Sequence, residues 1–242
     1  MRIDIAGIGV DNVDMAEAVE CAASLIAAGG VHYAVTPNAE ILYDALHSEE
    51  LRDILNRADL VLPDGQGVVL ASKLLKTPLR CKVAGVEFGA ALAKKLAETG
   101  GTLYLLGAKP GIAERAAEEL QRQAPGLRIA GLRDGYFKED SEAVEAVRAA
   151  SPDVLYVCLG APRQEYFIDA HKEELGAKFT VGLGGSLDVF AGEAKRAPKL
   201  FIKLGLEWFY RLLKEPRRLV RMMRLPKFLL AVLRRRGKGN GR

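Results

Sequence analysis

Short apolar runs rich in β-branched residues alternate with helical periodicity along most of this chain, and few folds accommodate that alternation. The runs are 3–10 (IDIAGIGV), 32–36 (HYAVT), 59–63 (DLVLP), 102–107 (TLYLLG), 127–131 (LRIAG), 153–160 (DVLYVCLG) and 179–185 (FTVGLGG). Helical patterns cover 14–28, 39–56, 66–75, 86–99, 111–123, 141–149 and 163–174. Strands apolar on both faces, joined by crossover helices, predict a Rossmann-like α/β fold: a mostly parallel sheet with helices on both faces.

The pattern changes near Ala194 and predicts two units, 1–194 and 195–242. The second holds 16 Lys and Arg against two acids, Glu207 and Glu215, a net charge of +14, whereas the first carries −10. Such segregation points to an anionic partner: nucleic acid, a phosphorylated ligand or a membrane surface. Helices are expected over 198–214 and 217–236, punctuated by Pro216 and Pro226. In the first, Lys199, Lys203, Glu207, Arg211 and Lys214 form a narrow polar stripe on an apolar cylinder. The final RRRGKGNGR (234–242) is expected to be disordered. No apolar run approaches the roughly 20 residues of a spanning helix. The opening MRIDIAGIGV lacks the zones of a signal peptide. These features predict a cytoplasmic protein that lies on a membrane without crossing it. Cys21, Cys81 and Cys158 are widely spaced and are expected to be reduced core thiols.

In a parallel sheet, ligands bind beyond the carboxyl ends of the strands. Those ends read TPN (36–38), PDGQG (63–67), GAKPG (107–111), RDGYF (133–137), GAPRQE (160–165) and GLGGSLD (182–188). Six such turns on one rim point to a phosphate- or nucleotide-bearing ligand. A nicotinamide-dependent oxidoreductase is disfavoured, because GIGVDN (7–12) lacks the third glycine and the following strand ends in VTPN without the expected acid. His32, His47 and His171 show no metal-ligand spacing and read as ordinary surface or core residues. Asp64 follows an apolar strand and precedes Gly65, so its carboxylate either takes a proton from a ligand hydroxyl or caps the helix starting near Gln66. Thr36 and Asn38 are either polar ligands or the cap of the helix beginning at residue 39. Arg163, Gln164 and Glu165 either bind ligand or form a solvated first turn.

Taken together, VTPNAEIL, ADLVLPDGQGVVLASKLL, GAPRQE and GLEWFYRLLKEPRRLVRMMR resemble the WecG/TagA/CpsF glycosyltransferases, in order along nearly the whole chain. The resemblance implies transfer of N-acetylmannosamine from UDP-N-acetylmannosamine to the 4-hydroxyl of N-acetylglucosamine on undecaprenyl diphosphate. It implies inversion to a β-1,4 linkage, in wall teichoic acid linkage-unit synthesis, with no metal or other cofactor. On the matching positions, Asp64 would be the base, with Thr36 beside it and Asn38 in the same block. Gly65, Gln66 and Gln164 would contact substrate. Gly107, Asp134, Tyr136, Gly160, Pro162, Gly184 and Asp188 would shape the uridine and diphosphate pocket. Lys82 stands where the family often has arginine, and it supplies charge without a bidentate fork. Arg211, Arg218 and Arg221 would reach the active site from the C-terminal unit and neutralise diphosphate charge. That unit would place Leu, Phe, Met and Trp in an anionic membrane interface. Within the family the donor could instead be UDP-N-acetylmannosaminuronate or UDP-glucose. A nucleic-acid-binding role for the tail is the alternative from another class, opposed by its long aliphatic residues and the absence of any nucleic-acid motif. Self-association through the apolar unit is left open.

Overall fold

A computed structural model describes residues 1–194 and 223–239, with single positions 198, 201 and 210 between them. Arg211, Arg218 and Arg221, most of the expected helix 198–214 and the start (217–222) of the expected helix 217–236 lie outside the described residues.

The main sheet has six strands: β3 (His32–Val35), β4 (Leu60–Val61), β5 (Thr102–Gly107), β6 (Arg128–Arg133), β7 (Val154–Cys158) and β8 (Phe179–Gly182). Their order is β4-β3-β8-β7-β5-β6, and every pairing is parallel. The expected first strand is the exception. Residues 3–10 form an antiparallel hairpin, β1 (Arg2–Asp4) with β2 (Gly9–Asp11), outside the main sheet. Its turn is Ala6–Gly7, both at positive φ (61° and 93°), closed by reciprocal hydrogen bonds between Ile5 and Ile8. Two consecutive left-handed residues match the twist of a tight hairpin, so the run folds back on itself.

Alternation along the strands feeds two cores. Tyr33, Val35, Tyr104, Leu106, Leu155 and Val157 face α2 (Ala39–Ala45), α3 (Glu49–Arg57), α4 (Gln66–Leu74), α7 (Asp140–Ala150) and α8 (Arg163–His171). Ala34, Leu103, Leu105, Tyr156, Phe179 and Val181 face α1 (Met15–Ala28), α5 (Gly85–Thr99), α6 (Ile112–Gln123) and α9 (Ser186–Phe190). The single helix expected over 39–56 is two, because Ser48 caps α3: its Oγ accepts from the Leu51 amide at 3.2 Å.

The last described helix, α10 (Arg224–Gly239), covers the first of these faces. Phe228 and Val232 are wholly buried, and Leu225 and Leu229 pack half-buried beside them. This is one helical stripe. Arg224 Nη1 lies 2.8 Å from Asp44 Oδ2 on α2. The helix continues to Gly239, into the basic run that begins at residue 234. The cysteines are corrected: Cys158 is buried, but Cys81 is half-buried and Cys21 is exposed. Cys21 misses the core because α1 turns Ala18, Val19 and Ala22 inward instead.

Candidate active site

Every strand of the main sheet ends on one rim, and the site residues sort along it by strand. On the β4–β3 side, Thr36 is buried and its Oγ1 donates to the Gly182 carbonyl at 2.8 Å. This ties the end of β3 to the end of β8. Asn38 caps α2, accepting from the amides of Glu40 (2.9 Å) and Ile41 (3.1 Å). Its carbonyl oxygen is therefore a structural cap, one of the two roles the sequence allowed.

Asp64 sits half-buried just past β4. Its amide donates to the Pro37 carbonyl at 3.3 Å, which brings its turn against the Thr36–Asn38 turn. Helix α4 is capped by Gly65 at φ 85°, with no side-chain cap bond. Gly65 thus holds the cap position itself, and Asp64 stands one residue before it. Val83 donates to the Pro63 carbonyl at 2.9 Å, so the segment carrying half-buried Lys82 runs beside the same turn. Gln66 is exposed at the start of α4.

Gln164 joins the two sides. It is 1 % exposed; its Oε1 accepts from the Gly184 amide at 2.8 Å and its Nε2 donates to Glu165 Oε1 at 2.9 Å. A solvated first turn is thus corrected for both residues: Glu165 is equally buried, and only Arg163 faces solvent. Burial raises the Glu165 carboxyl above its ordinary value, partly opposed by the Gln164 hydrogen bond. Glu165 Oε2 is buried and has no hydrogen-bond partner among the described residues.

On the β7–β5–β6 side, the chain leaves β5 toward β6 and leaves β7 in the opposite direction, toward β8. The rim opens there, where connections diverge. A cleft of about 490 Å³ occupies the position, bounded by Lys109, Tyr136, Phe137, Arg163 and Asp188 among others. Gly107 makes the opening possible: it has φ 131°, and a Cβ there would fall 2.3 Å from the Cys158 carbonyl oxygen. Asp134 accepts from the Tyr136 amide at 2.8 Å and fixes the turn that leaves the Tyr136 ring 68 % exposed. The Arg163 guanidinium lies 4.7 Å from the Phe137 ring centre and donates to the Gly135 carbonyl at 3.3 Å. Gly160 and Pro162 form the turn into α8, and Gly184 leads into α9, which carries Asp188. Burial pushes the Cys158 thiol, at the cleft floor, up to about 12.

Lys109 and Phe137 border the cleft although the sequence singled out neither. Both lie in turns, GAKPG and RDGYF, whose Gly107, Asp134 and Tyr136 the resemblance assigned to the uridine and diphosphate pocket. A larger groove, about 670 Å³, lies between α5, α6 and α9 and contains none of the expected site residues. Its two arginines are paired locally, Arg122 with Glu119 (2.6 Å) and Arg115 with Glu193 (2.5 Å). Among the described residues, no three His, Cys, Asp or Glu side chains gather as a metal set. No described helix is long and apolar enough to cross a membrane.

A parallel sheet with a polar, charged opening at its carboxyl edge defines a ligand-binding α/β protein. This chain belongs to the WecG/TagA/CpsF glycosyl transferase family, whose model matches residues 3–242. It is 41 % identical over 202 residues to an N-acetylglucosaminyldiphosphoundecaprenol N-acetyl-β-D-mannosaminyltransferase of Bacillus spizizenii, covering 84 % of this chain and 79 % of the relative. A Bacillus subtilis protein of the same name is 37 % identical over 82 % of this chain and 78 % of its own. One from Staphylococcus aureus is 34 % identical over 98 % of this chain and 94 % of its own.

Proposed function

We propose that this chain transfers N-acetylmannosamine from a UDP-linked donor to N-acetylglucosamine carried on undecaprenyl diphosphate, in teichoic acid linkage-unit synthesis. The observation that carries this reading is the order of groups along the rim. A carboxylate stands at one end, past β4, and a cationic, aromatic cleft at the other, at β7 and β5. Three to four strand intervals separate them, about 17 Å, a span suited to an extended nucleotide-sugar. The exposed Tyr136 ring offers a stacking surface for the base, Asp188 an acceptor, and Lys109 and Arg163 charge for the diphosphate. Glycine-lined turns at Gly160 and Gly184 let backbone approach the phosphates.

In this reading Asp64 takes the proton of the acceptor 4-hydroxyl. The freed oxygen attacks the anomeric carbon from the face opposite UDP. The bond from that carbon to the β-phosphate oxygen breaks, its electron pair leaves with UDP, and a β-1,4 linkage results. Thr36 and Gln164 hold the ends of β3 and β8 in place beneath the reacting groups. Lys82, and Arg211, Arg218 and Arg221 of the C-terminal unit, are assigned to charge on the diphosphates.

The acceptor is bound to a bilayer by its lipid, and the outer face of α4 and α10 suits that setting. Leu70, Met223, Leu230 and Leu233 are 42–49 % exposed there, beside the side chains of Lys227 and Arg234. Apolar residues interspersed with cations fit peripheral association with the inner, anionic face of the cell membrane through the 195–242 unit.

The test is UDP release by the full chain, with chelator and a polyprenyl-diphosphate-linked N-acetylglucosamine acceptor. UDP-N-acetylmannosamine, its uronate and UDP-glucose are compared as donors. Acceptor-dependent release from the first alone is the expected result. Release from another donor would reassign the sugar, and release from none would sink the reading.

A further inference from the structure

Leu225 brings helix α10 against the roots of α2 and α4. Leu225 stands at the start of α10, and its Cδ1 lies 2.6 Å from where a Cβ on Gly67 would be; the Ala39 Cβ lies 2.8 Å from the same point. Gly67 is in the first turn of α4, three residues after Asp64. Ala39 is the first residue of α2, three after Thr36. Leu225 therefore fills a three-way joint with the roots of both helices. Gly67 has no room for a methyl group because α2 and Leu225 already occupy the space.

The joint is anchored on its far side. Phe228 and Val232, three and seven residues along α10, are wholly buried, and Arg224 pairs with Asp44 on α2. On its near side, the Asp64 amide donates to the Pro37 carbonyl at 3.3 Å, across the two turns. One helical turn below that bond, Leu225 and the Ala39 methyl occupy the space beside Gly67.

We propose that Leu225 is a positioning residue. Seated between Gly67 and Ala39, it fixes the separation of the two turns and thereby the place of Asp64 against Thr36. It touches no substrate and acts only through the helices it wedges. The consequence for activity rests on the assignment of Asp64 as base; the mechanical coupling does not.

Two readouts on the full chain test it, across Leu225→Ala, the volume-conserving Leu225→Met, and Leu120→Ala. Leu120 is buried on α6 in the opposite core and serves as a control for simple destabilisation. The first readout is backbone hydrogen exchange. Leu225→Ala should speed exchange in residues 39–42 and 64–70 at least tenfold, by order of magnitude, for a joint that opens locally. Leu225→Met and Leu120→Ala should leave those segments as in the wild type. The second is turnover: kcat should fall about tenfold in Leu225→Ala for a displacement well under 1 Å. KM for the donor should stay within about twofold, and Leu225→Met should restore kcat. If Leu225→Ala does not fold, Gly67→Ala prises the joint from the other side and should give the same pattern. Unchanged exchange, or the same change in Leu120→Ala, overturns the proposal. So does loosened exchange with normal kcat. If the wild type shows no transfer but Leu225→Ala still loosens both segments, the wedge stands and the transferase reading falls.

Discussion

The two ends of the rim are built by opposite means. At the β4–β3 end the strands are short, two and four residues, and the turns are held by side chains and packing. Thr36 bonds to Gly182, Asn38 caps α2, and Leu225 fills the joint below. At the β7–β5–β6 end the strands run five to six residues, and glycines at the turns leave a cleft open to solvent. A tightly held carboxylate suits chemistry, where small displacements cost rate. An open, charged cleft suits a ligand that must enter and leave. Under the proposed function the first end performs the transfer and the second holds the nucleotide.

Breaking the link between the two ends should have the largest effect on stability. Gln164→Ala leaves the Gly184 amide and Glu165 Oε1 unpaired in a buried place, so it should cost about 1–3 kcal/mol. Urea denaturation measures this, and a loss below about 0.5 kcal/mol would show that the two ends are not joined through this amide. Arg163→Ala should act on the cleft alone. It should weaken UDP binding about tenfold by loss of charge-assisted contact, with kcat at saturating donor unchanged; calorimetry and kinetics read the two quantities. A matching fall in kcat would blur the division of labour.

Glu165→Gln gives the smallest and most specific effect. Burial raises the folded-state carboxyl above its ordinary value of 4.5. The folded protein therefore holds this proton more tightly than the unfolded chain does. The associated stability is complete below the unfolded value and is lost as pH rises from there toward the folded value. Glutamine stays neutral, so in this variant stability should decline less with rising pH above about 4.5. Parallel curves for variant and wild type in thermal melts from pH 5 to 8 would show that Glu165 is ionised in the folded protein.

The rim was legible because its chemistry is local. Gly, Pro and Asp at strand ends in PDGQG, GAPRQE and GLGGSLD announce turns, and the parallel sheet collects those turns on one edge. TLYLLG was readable to the residue, a mainly apolar run that follows Gly100–Gly101 and ends at Gly107. DLVLP promised a longer strand than β4, but Pro63 cannot donate to a ladder. The hairpin at 2–11 was hidden because Ala6 adopts a left-handed φ that its residue type does not advertise. The burial of Gln164 and Glu165 was also hidden, since a polar pair at a helix start ordinarily faces water. Long-range ties left no trace in the sequence: Thr36 to Gly182 spans 146 residues, and Leu225 meets Gly67 from the far end of the chain.

The central claim is that the two ends divide the work, and Asp64→Asn tests it most directly. UDP affinity and single-turnover transfer to the lipid-linked acceptor would be measured on the same preparation. UDP binding within about twofold of wild type, with transfer reduced at least about a hundredfold, is the expected result. Unimpaired transfer would remove Asp64 from the chemistry. An equal loss of binding and transfer would show that the rim works as one undivided site.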